Sequence, residues 1–261
     1  MKICKMPDGT PEIYGPVLQG EGKTQGLPVI FVRLFNCNIN CKWCDSFYTW
    51  YHKGNKSLHD YARPVERKDY LLEMTEQDVA DYIKGITSKT GIKNVVFTGG
   101  EPLLQQKSII DVMKKLFWHD VVNDWHFEIE TNGTIMPDSD VLAHLNQINC
   151  SPKLKSSGVS EGMRNKPLVI NTLYNHAVTY KNGNICFKFV IRQQNFDEDI
   201  AEVKEWQKQN NIDSKYIYLM PEGIDREQII ETTKLLEEKC PNGYIINTRL
   251  HVLLNGNKRA V

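Results

Sequence analysis

Pro28-Val29-Ile30-Phe31-Val32-Arg33-Leu34-Phe35 runs directly into Asn36-Cys37-Asn38-Ile39-Asn40-Cys41-Lys42-Trp43-Cys44-Asp45. The first segment is mostly branched or aromatic, which predicts a buried strand. The second holds three cysteines at C-x3-C-x2-C spacing. A loop this compact can aim three thiolates at one centre. Thiolates are soft, anionic donors that suit an iron–sulfur cluster. A cubane has four irons, so three cysteines leave one iron for a non-protein ligand, and the site becomes catalytic rather than purely electron-carrying. Two other chemistries stay open on this motif alone. Zinc needs a fourth ligand, and His52 is nearby in sequence. A thioredoxin-like pair would use only Cys41 and Cys44.

Composition narrows the setting. The chain has 261 residues, 41% hydrophobic and 25% charged, which excludes a disordered chain, a collagen and a disulfide miniprotein. Lys plus Arg is 32 and Asp plus Glu is 32, so the formal net charge is zero. Phosphate binding draws on a basic excess, so duplex nucleic acid and anionic membrane are not expected as partners. No apolar run nears the ~18 residues of a membrane helix. Met1 to Gly22 lacks the apolar core of a secretory signal. A cytoplasmic protein is expected, with its seven cysteines reduced. Cys4, Cys150, Cys186 and Cys240 are scattered and read as small buried hydrophobes.

Outward from the cysteines, strand-like and helix-like segments alternate. Thr75-Glu76-Gln77-Asp78 has the spacing of a helix-start box. Its helix would bury Val79, Tyr82, Ile83 and Ile86 and stop at Gly91. Asn94–Thr98 predicts a strand, and Ser108–Trp118 a helix with Ile109, Val112, Met113 and Leu116 on one face. His126–Glu130 is strand-like, Asp138–Leu145 helical and Gln147–Cys150 a short strand. Ile185–Ile191 predicts a strand and Asp197–Asn210 a helix. Tyr216–Met220 predicts a strand and Asp225–Lys239 a helix. Tyr244–Ile246 closes the series, with Leu250–Leu254 as its extension. Repeated strand–helix units imply a parallel sheet wrapped by helices. Roughly six units are too few for a complete eightfold barrel. The expected fold is α/β, a partial (β/α)6-type open TIM barrel in one domain over residues 1–261. Its chemistry should lie at the C-terminal strand ends. Residues 47–74 read as an insertion and 153–166 as a flexible loop.

With Trp43 as its aromatic, C-x3-C-x-aromatic-C resembles the signature of the radical S-adenosylmethionine superfamily. The resemblance implies that Cys37, Cys41 and Cys44 bind a [4Fe–4S] cluster. S-adenosylmethionine would occupy the open iron, and electron transfer would cleave it to a 5′-deoxyadenosyl radical. Thr98-Gly99-Gly100-Glu101-Pro102 ends the second predicted strand, and such a GGEP segment in the superfamily meets the methionine amino group. Glu130-Thr131-Asn132-Gly133 ends the third strand and Ser151-Pro152-Lys153 the fourth. Their polar groups suit the ribose and carboxylate of the cofactor. Turn and capping chemistry accounts for the same residues without a ligand.

Tyr14-Gly15-Pro16-Val17-Leu18-Gln19-Gly20-Glu21-Gly22 precedes the first strand. Its Gly-x-Gly is not a dinucleotide fingerprint, since no strand is expected before it and no helix after it. This segment, Asp45-Ser46, Ser151-Pro152-Lys153 and the terminal stretch Leu250 to Arg259 are together similar to the 7-carboxy-7-deazaguanine synthase family. That family converts 6-carboxy-5,6,7,8-tetrahydropterin to 7-carboxy-7-deazaguanine, releases ammonia and regenerates S-adenosylmethionine. The resemblance implies a substrate pocket of Leu18, Gln19, Gly20, Glu21, Arg33, Thr98 and His251. Glu21 would accept from the pterin edge, and Arg33 would clamp the substrate carboxylate by a planar two-point contact. It also implies Mg²⁺ on Ser46, where many members have Thr; Ser keeps the oxygen donor that a hard ion takes. A homodimer and an electron donor such as flavodoxin or ferredoxin are implied too. A glycyl-radical-enzyme activase would share the cluster and GGEP. A non-catalytic zinc module would leave Gly99 to Glu101 without a purpose.

Overall fold

Branched runs and amphipathic helices assemble into one ten-stranded sheet with helices packed against it. The computed structural model describes residues 1–57, 59–60, 62–117, 124–256 and 258–260. Trp118, expected to end a helix, and Asn257 of the terminal stretch lie outside them, as do positions 58 and 61 of the expected insertion. In chain order the strands are β1 (Lys2–Cys4), β2 (Ile13–Leu18), β3 (Pro28–Leu34), β4 (Leu71–Glu73), β5 (Asn94–Gly99), β6 (His126–Thr131), β7 (Gln147–Cys150), β8 (Ile185–Ile191), β9 (Ile217–Pro221) and β10 (Ile245–Ile246). The helices are α1 (Arg67–Tyr70), α2 (Glu76–Thr90), α3 (Gln106–Phe117), α4 (Ser139–His144), α5 (Glu161–Arg164), α6 (Pro167–Tyr180), α7 (Phe196–Asn210), α8 (Arg226–Lys239) and α9 (Leu250–Asn255).

From β3 through β5, β6, β7, β8 and β9 to β10 every pairing is parallel. Beyond β3, β1 and β4 add antiparallel strands, and β2 pairs antiparallel with β3. The sheet runs from β10 at one edge to β4 at the other, so the barrel is open as expected. Ile30, Val32, Val95, Phe97, Phe127, Ile129 and Phe187 are almost wholly buried in the core between the sheet and its helices. The parallel strands therefore read as continuous apolar runs.

Several expectations need correction. The predicted α2 face included Tyr82, but that ring is exposed and Ala80 is buried instead. The capping box does form, between Thr75 and Asp78, and Gly91 caps the end at φ 73°. Strand β2 does precede the Gly20-x-Gly22 segment, so only the lack of a following helix excludes a dinucleotide fingerprint. Leu250–Leu254 is helical, in α9. Helix α6 was not foreseen, although its Val169, Ile170, Leu173 and Ala177 are buried.

The two irregular stretches are integrated into the fold. Residues 47–74 supply α1 and β4, and Tyr48 packs with Phe35 and Cys4. Within 153–166, Leu154 and Val159 are buried, and the Ser157 carbonyl accepts from Lys42 N at 3.0 Å.

A built Cβ on Gly100 would lie 2.0 Å from Asn36 O, and one on Gly99, at φ 129°, 2.1 Å from Leu34 O. Gly85, exposed in α2, has nothing within 4 Å of its own. We therefore expect Gly100→Ala to lose about 3 kcal/mol of stability, and Gly85→Ala to gain roughly 0.5–1 kcal/mol. Urea melts of the two variants check both signs.

Candidate active site

The cysteine loop is tied down on several sides by backbone. Gly100 N donates to Leu34 O at 3.0 Å and Glu101 N to Asn36 O at 2.9 Å, so the end of β5 is stapled to the end of β3. Asn36 takes the left-handed conformation at φ 82°, which Asn tolerates better than most residues. The glycines thus serve a close approach between two segments of this chain. Gly99 and Gly100 nonetheless reach the wall of a cavity of about 250 Å³.

Cys37, Cys41 and Cys44 line that cavity as free thiols. Burial pushes Cys37 up to about 12 and raises Cys41 and Cys44 as well. Redox-active thiols have lowered values, so this setting disfavours a thioredoxin-like pair. Among the described residues no three His, Cys, Asp or Glu side chains are grouped to hold a metal ion. His52, the fourth ligand considered for zinc, stacks on Phe35 at 5.0 Å, and its Nε2 lies 3.2 Å from Tyr48 O. A cubane asks for a wider spacing, because each cysteine takes its own iron. Three soft donors on one cavity wall, unbridged by disulfides, fit that group.

Every residue expected at the site lines this one cavity except Glu101. Glu101 is fully buried. It accepts from Leu103 N at 2.9 Å, Thr131 Oγ1 at 2.9 Å and Asn132 N at 2.7 Å, joining the ends of β5 and β6. Burial raises its carboxyl even against these bonds. Asn132 Nδ2 is 3.8 Å from Cys37 Sγ. Thr98 Oγ1 donates to Glu130 at 2.6 Å. Lys153 Nζ donates to Ser151 Oγ at 2.9 Å and sits 5.8 Å over the Trp43 ring. Trp43 is itself fixed by donation to Ser156 O at 3.2 Å.

Elsewhere in the lining, Leu18 is exposed and Gln19 is buried against Glu128 and Glu130. Gly20 has no room for a Cβ, since one would lie 2.2 Å from His251 Nδ1. Burial lowers the His251 imidazole despite Glu21 at 3.9 Å, which favours its neutral form. Arg33 Nε is bound to Glu12 at 2.8 Å, while Nη1 and Nη2 donate to Ser46 Oγ and Tyr14 OH, both at 3.3 Å. Its two-point face is thus partly occupied by protein.

Two cations at the centre were missed. Lys188 bonds Glu21 and lies 4.0 Å from Glu130. Arg249 donates to Glu21 at 3.0 Å, to Asp45 and to Gly223 O. Burial alone would raise the Glu21 carboxyl, but Lys188 and Arg249 hold it well below the usual range. For Asp45 burial also raises, and Arg249 prevails, bringing it to about 2. A lone Lys inside Ile185-Cys186-Phe187-Lys188-Phe189-Val190-Ile191 was a readable signal, because an unpaired ammonium is rarely buried. Arg249 adjoins the terminal stretch and carried no such mark.

The cysteine loop, the glycine staple and the polar strand ends define the class. Residues 32–152 match the family model described as the Radical SAM superfamily. Over most of its length the chain is similar to proteins named 7-carboxy-7-deazaguanine synthase. It is 29% identical over 251 residues to the 7-carboxy-7-deazaguanine synthase of Rhodopirellula baltica, covering 92% of this chain and 84% of that protein. It is 26% identical over 272 residues to the Bacillus subtilis synthase, covering 98% and 100%. In fold it is similar to the crystal structure of QueE from Escherichia coli, with a TM-score of 0.57, 20% identity and coverage of 96% and 95%.

Glu21 and Asp45 both lie below their ordinary values in the folded protein. The stability they lend is full above the unfolded value and is lost as pH falls through the folded one. For Asp45 that window runs from 3.8 down to about 2. Arg249→Met should cost roughly 3 kcal/mol at neutral pH and flatten the fall in stability across this window. Denaturant titrations at stepped pH test it; an acid limb as steep as wild type would refute the pairing.

Proposed function

We propose that the protein is a 7-carboxy-7-deazaguanine synthase, acting on 6-carboxy-5,6,7,8-tetrahydropterin, releasing ammonia and feeding 7-deazapurine synthesis such as that of queuosine. The observation that carries this reading is one cavity whose wall joins the three cysteines to Gln19, Glu21 and Arg33. When bound, the cluster and S-adenosylmethionine supply a 5′-deoxyadenosyl radical that takes hydrogen from the pterin.

Cys37, Cys41 and Cys44 would hold the cluster. Gly99, Gly100, Glu130, Thr131, Asn132, Ser151, Lys153 and Trp43 form the cofactor side. Lys153 makes no ion pair among the described residues, so its ammonium suits a carboxylate. Glu101 acts through Thr131 and Asn132 as a positioning residue. On the substrate side, Arg33 turns its Nη edge toward the pterin carboxylate, while Leu18, Gly20, Thr98 and His251 bound the ring. Glu21 stays ionised and accepts from the pterin edge. Lys188 and Arg249 hold its carboxylate in place, so the substrate shares an oriented acceptor.

Ser46 Oγ and Asp45 Oδ1, 3.0 Å apart, are hard donors of the kind Mg²⁺ takes. Arg33 already donates to that hydroxyl, and Arg249 pairs with Asp45. An ion there competes with two guanidinium groups, so the proposed Mg²⁺ role is weak. The reading also includes a homodimer, a flavodoxin- or ferredoxin-type electron donor, a cytoplasmic setting and one domain over 1–261. The continuous sheet supports the single domain. Among the described residues no helix is long and apolar enough to cross a membrane.

Anaerobically reconstituted protein, reductant, S-adenosylmethionine and the carboxytetrahydropterin should give 7-carboxy-7-deazaguanine by mass analysis; no deazapurine from a brown, iron-loaded protein would overturn the reading. Cys41→Ala should lose the iron. Arg33→Ala should lower pterin turnover by roughly ten- to a hundredfold while keeping reductive cleavage of S-adenosylmethionine, as expected for a lost charge-assisted contact. After chelator treatment, wild type should respond modestly to Mg²⁺ and Ser46→Ala not at all. Equal responses would remove Ser46 from the metal's ligands.

A further inference from the structure

Glu12 is 1% exposed and belongs to none of the motifs above. Its Oε1 accepts from Arg33 Nε at 2.8 Å and from Tyr48 OH at 3.0 Å. Its Oε2 accepts from Arg259 and, at 3.3 Å, from the same Tyr48 hydroxyl. One buried carboxylate is therefore shared by two guanidinium groups from opposite ends of the chain. A buried charge needs such partners, because desolvation of an unpaired one costs several kcal/mol.

Arg259 is seated on more than that oxygen. Its guanidinium lies 3.9 Å from the Tyr48 ring centroid and 5.5 Å from that of Tyr70, and Nη2 also donates to Lys5 O at 3.2 Å. A planar cation stacked on one ring and bonded edge-on to a carboxylate has little freedom. Arg259, Glu12, Tyr48 and Arg33 all line the cavity described above.

We propose that Arg259 and Glu12 are positioning residues that set the aim of Arg33 and thereby the affinity for the substrate carboxylate. With Nε held by Glu12, the Arg33 fork is fixed with Nη1 and Nη2 toward the cavity. Arg259 occupies the other carboxylate oxygen, so Glu12 cannot turn away or take both edges of Arg33. Removing Arg259 leaves Glu12 free to chelate Arg33 in two-point fashion, which draws the fork off the ligand. The inference rests on Arg33 meeting the substrate carboxylate.

The test is equilibrium binding of 7-carboxy-7-deazaguanine to the folded protein, followed by tryptophan fluorescence, with 7-deazaguanine as the probe lacking the carboxylate. Wild type should bind the carboxylated probe more tightly. Arg259→Met should weaken that probe by tenfold or more and leave 7-deazaguanine unchanged. Arg259→Lys, which keeps a cation on Glu12, should recover most of the loss. If Arg259 acts through Arg33, the double variant Arg33→Ala with Arg259→Met should bind no more weakly than Arg33→Ala alone. In turnover, Arg259→Met should raise KM with kcat nearly kept. Additive losses, or equal weakening of both probes, would overturn the positioning role. No preference for the carboxylated probe in wild type would instead overturn the reading of Arg33 itself.

Discussion

Two missing methyl groups govern the site. The ends of β3 and β5 approach so closely that a Cβ on either Gly99 or Gly100 would collide with carbonyl oxygen. That approach lets Leu34 O and Asn36 O accept from the following strand end, which fixes where the cysteine loop leaves the sheet. Glu101 extends the brace by carrying the position of β5 to Thr131, the last residue of β6, and to Asn132 just beyond it. The arrangement of thiols is thus decided by backbone packing between neighbouring parallel strands. Flexible side-chain contacts only refine it.

Above this frame the site is crowded with charge. Glu12, Glu21 and Asp45 each meet a guanidinium, and Glu21 meets Lys188 as well. Each pair offsets the desolvation of its members, and together they leave little net charge in the cavity. Such networks orient their members more than they stabilise the fold. A ligand entering here must share partners already engaged, so recognition works by redistributing hydrogen bonds among fixed groups.

Much of this was legible in the sequence, for definite reasons. Parallel strands buried on both faces leave apolar runs, so β3, β5, β8 and β9 could be read directly, and β6 by its alternation of Phe127 and Ile129 with polar residues. Cap chemistry marked both ends of α2. The cysteine spacing and GGEP are local motifs, and locality makes a motif readable. Helix α6 escaped because its polar positions, such as Asn171, Thr172 and Asn175, blur its periodicity and no cap side chain announces it. β1 and β4, of three residues each, exist only through pairing, β1 between β3 and β4 and β4 on β1. Tyr82 was misread because an aromatic at a helical interval looks like core whichever way its face turns. Arg249 and Glu12 gain their meaning from partners far away in the chain, which no spacing rule records, whereas Lys188 was marked by its apolar run. Glu101 was placed on the cavity by its motif, whereas its buried bonds turn it toward the frame.

The link between Glu12 and Arg259 spans 247 positions, against 95 for the contact between Asn132 and Cys37. Loop-closure entropy grows only with the logarithm of length, so the longer closure costs about 0.8 kcal/mol more. That difference is small, so a residue near the end of the described chain can close the cavity at little more entropic cost than a nearby segment would. The Glu12 carboxylate thus joins residues from near both ends of the sequence in one cavity lining.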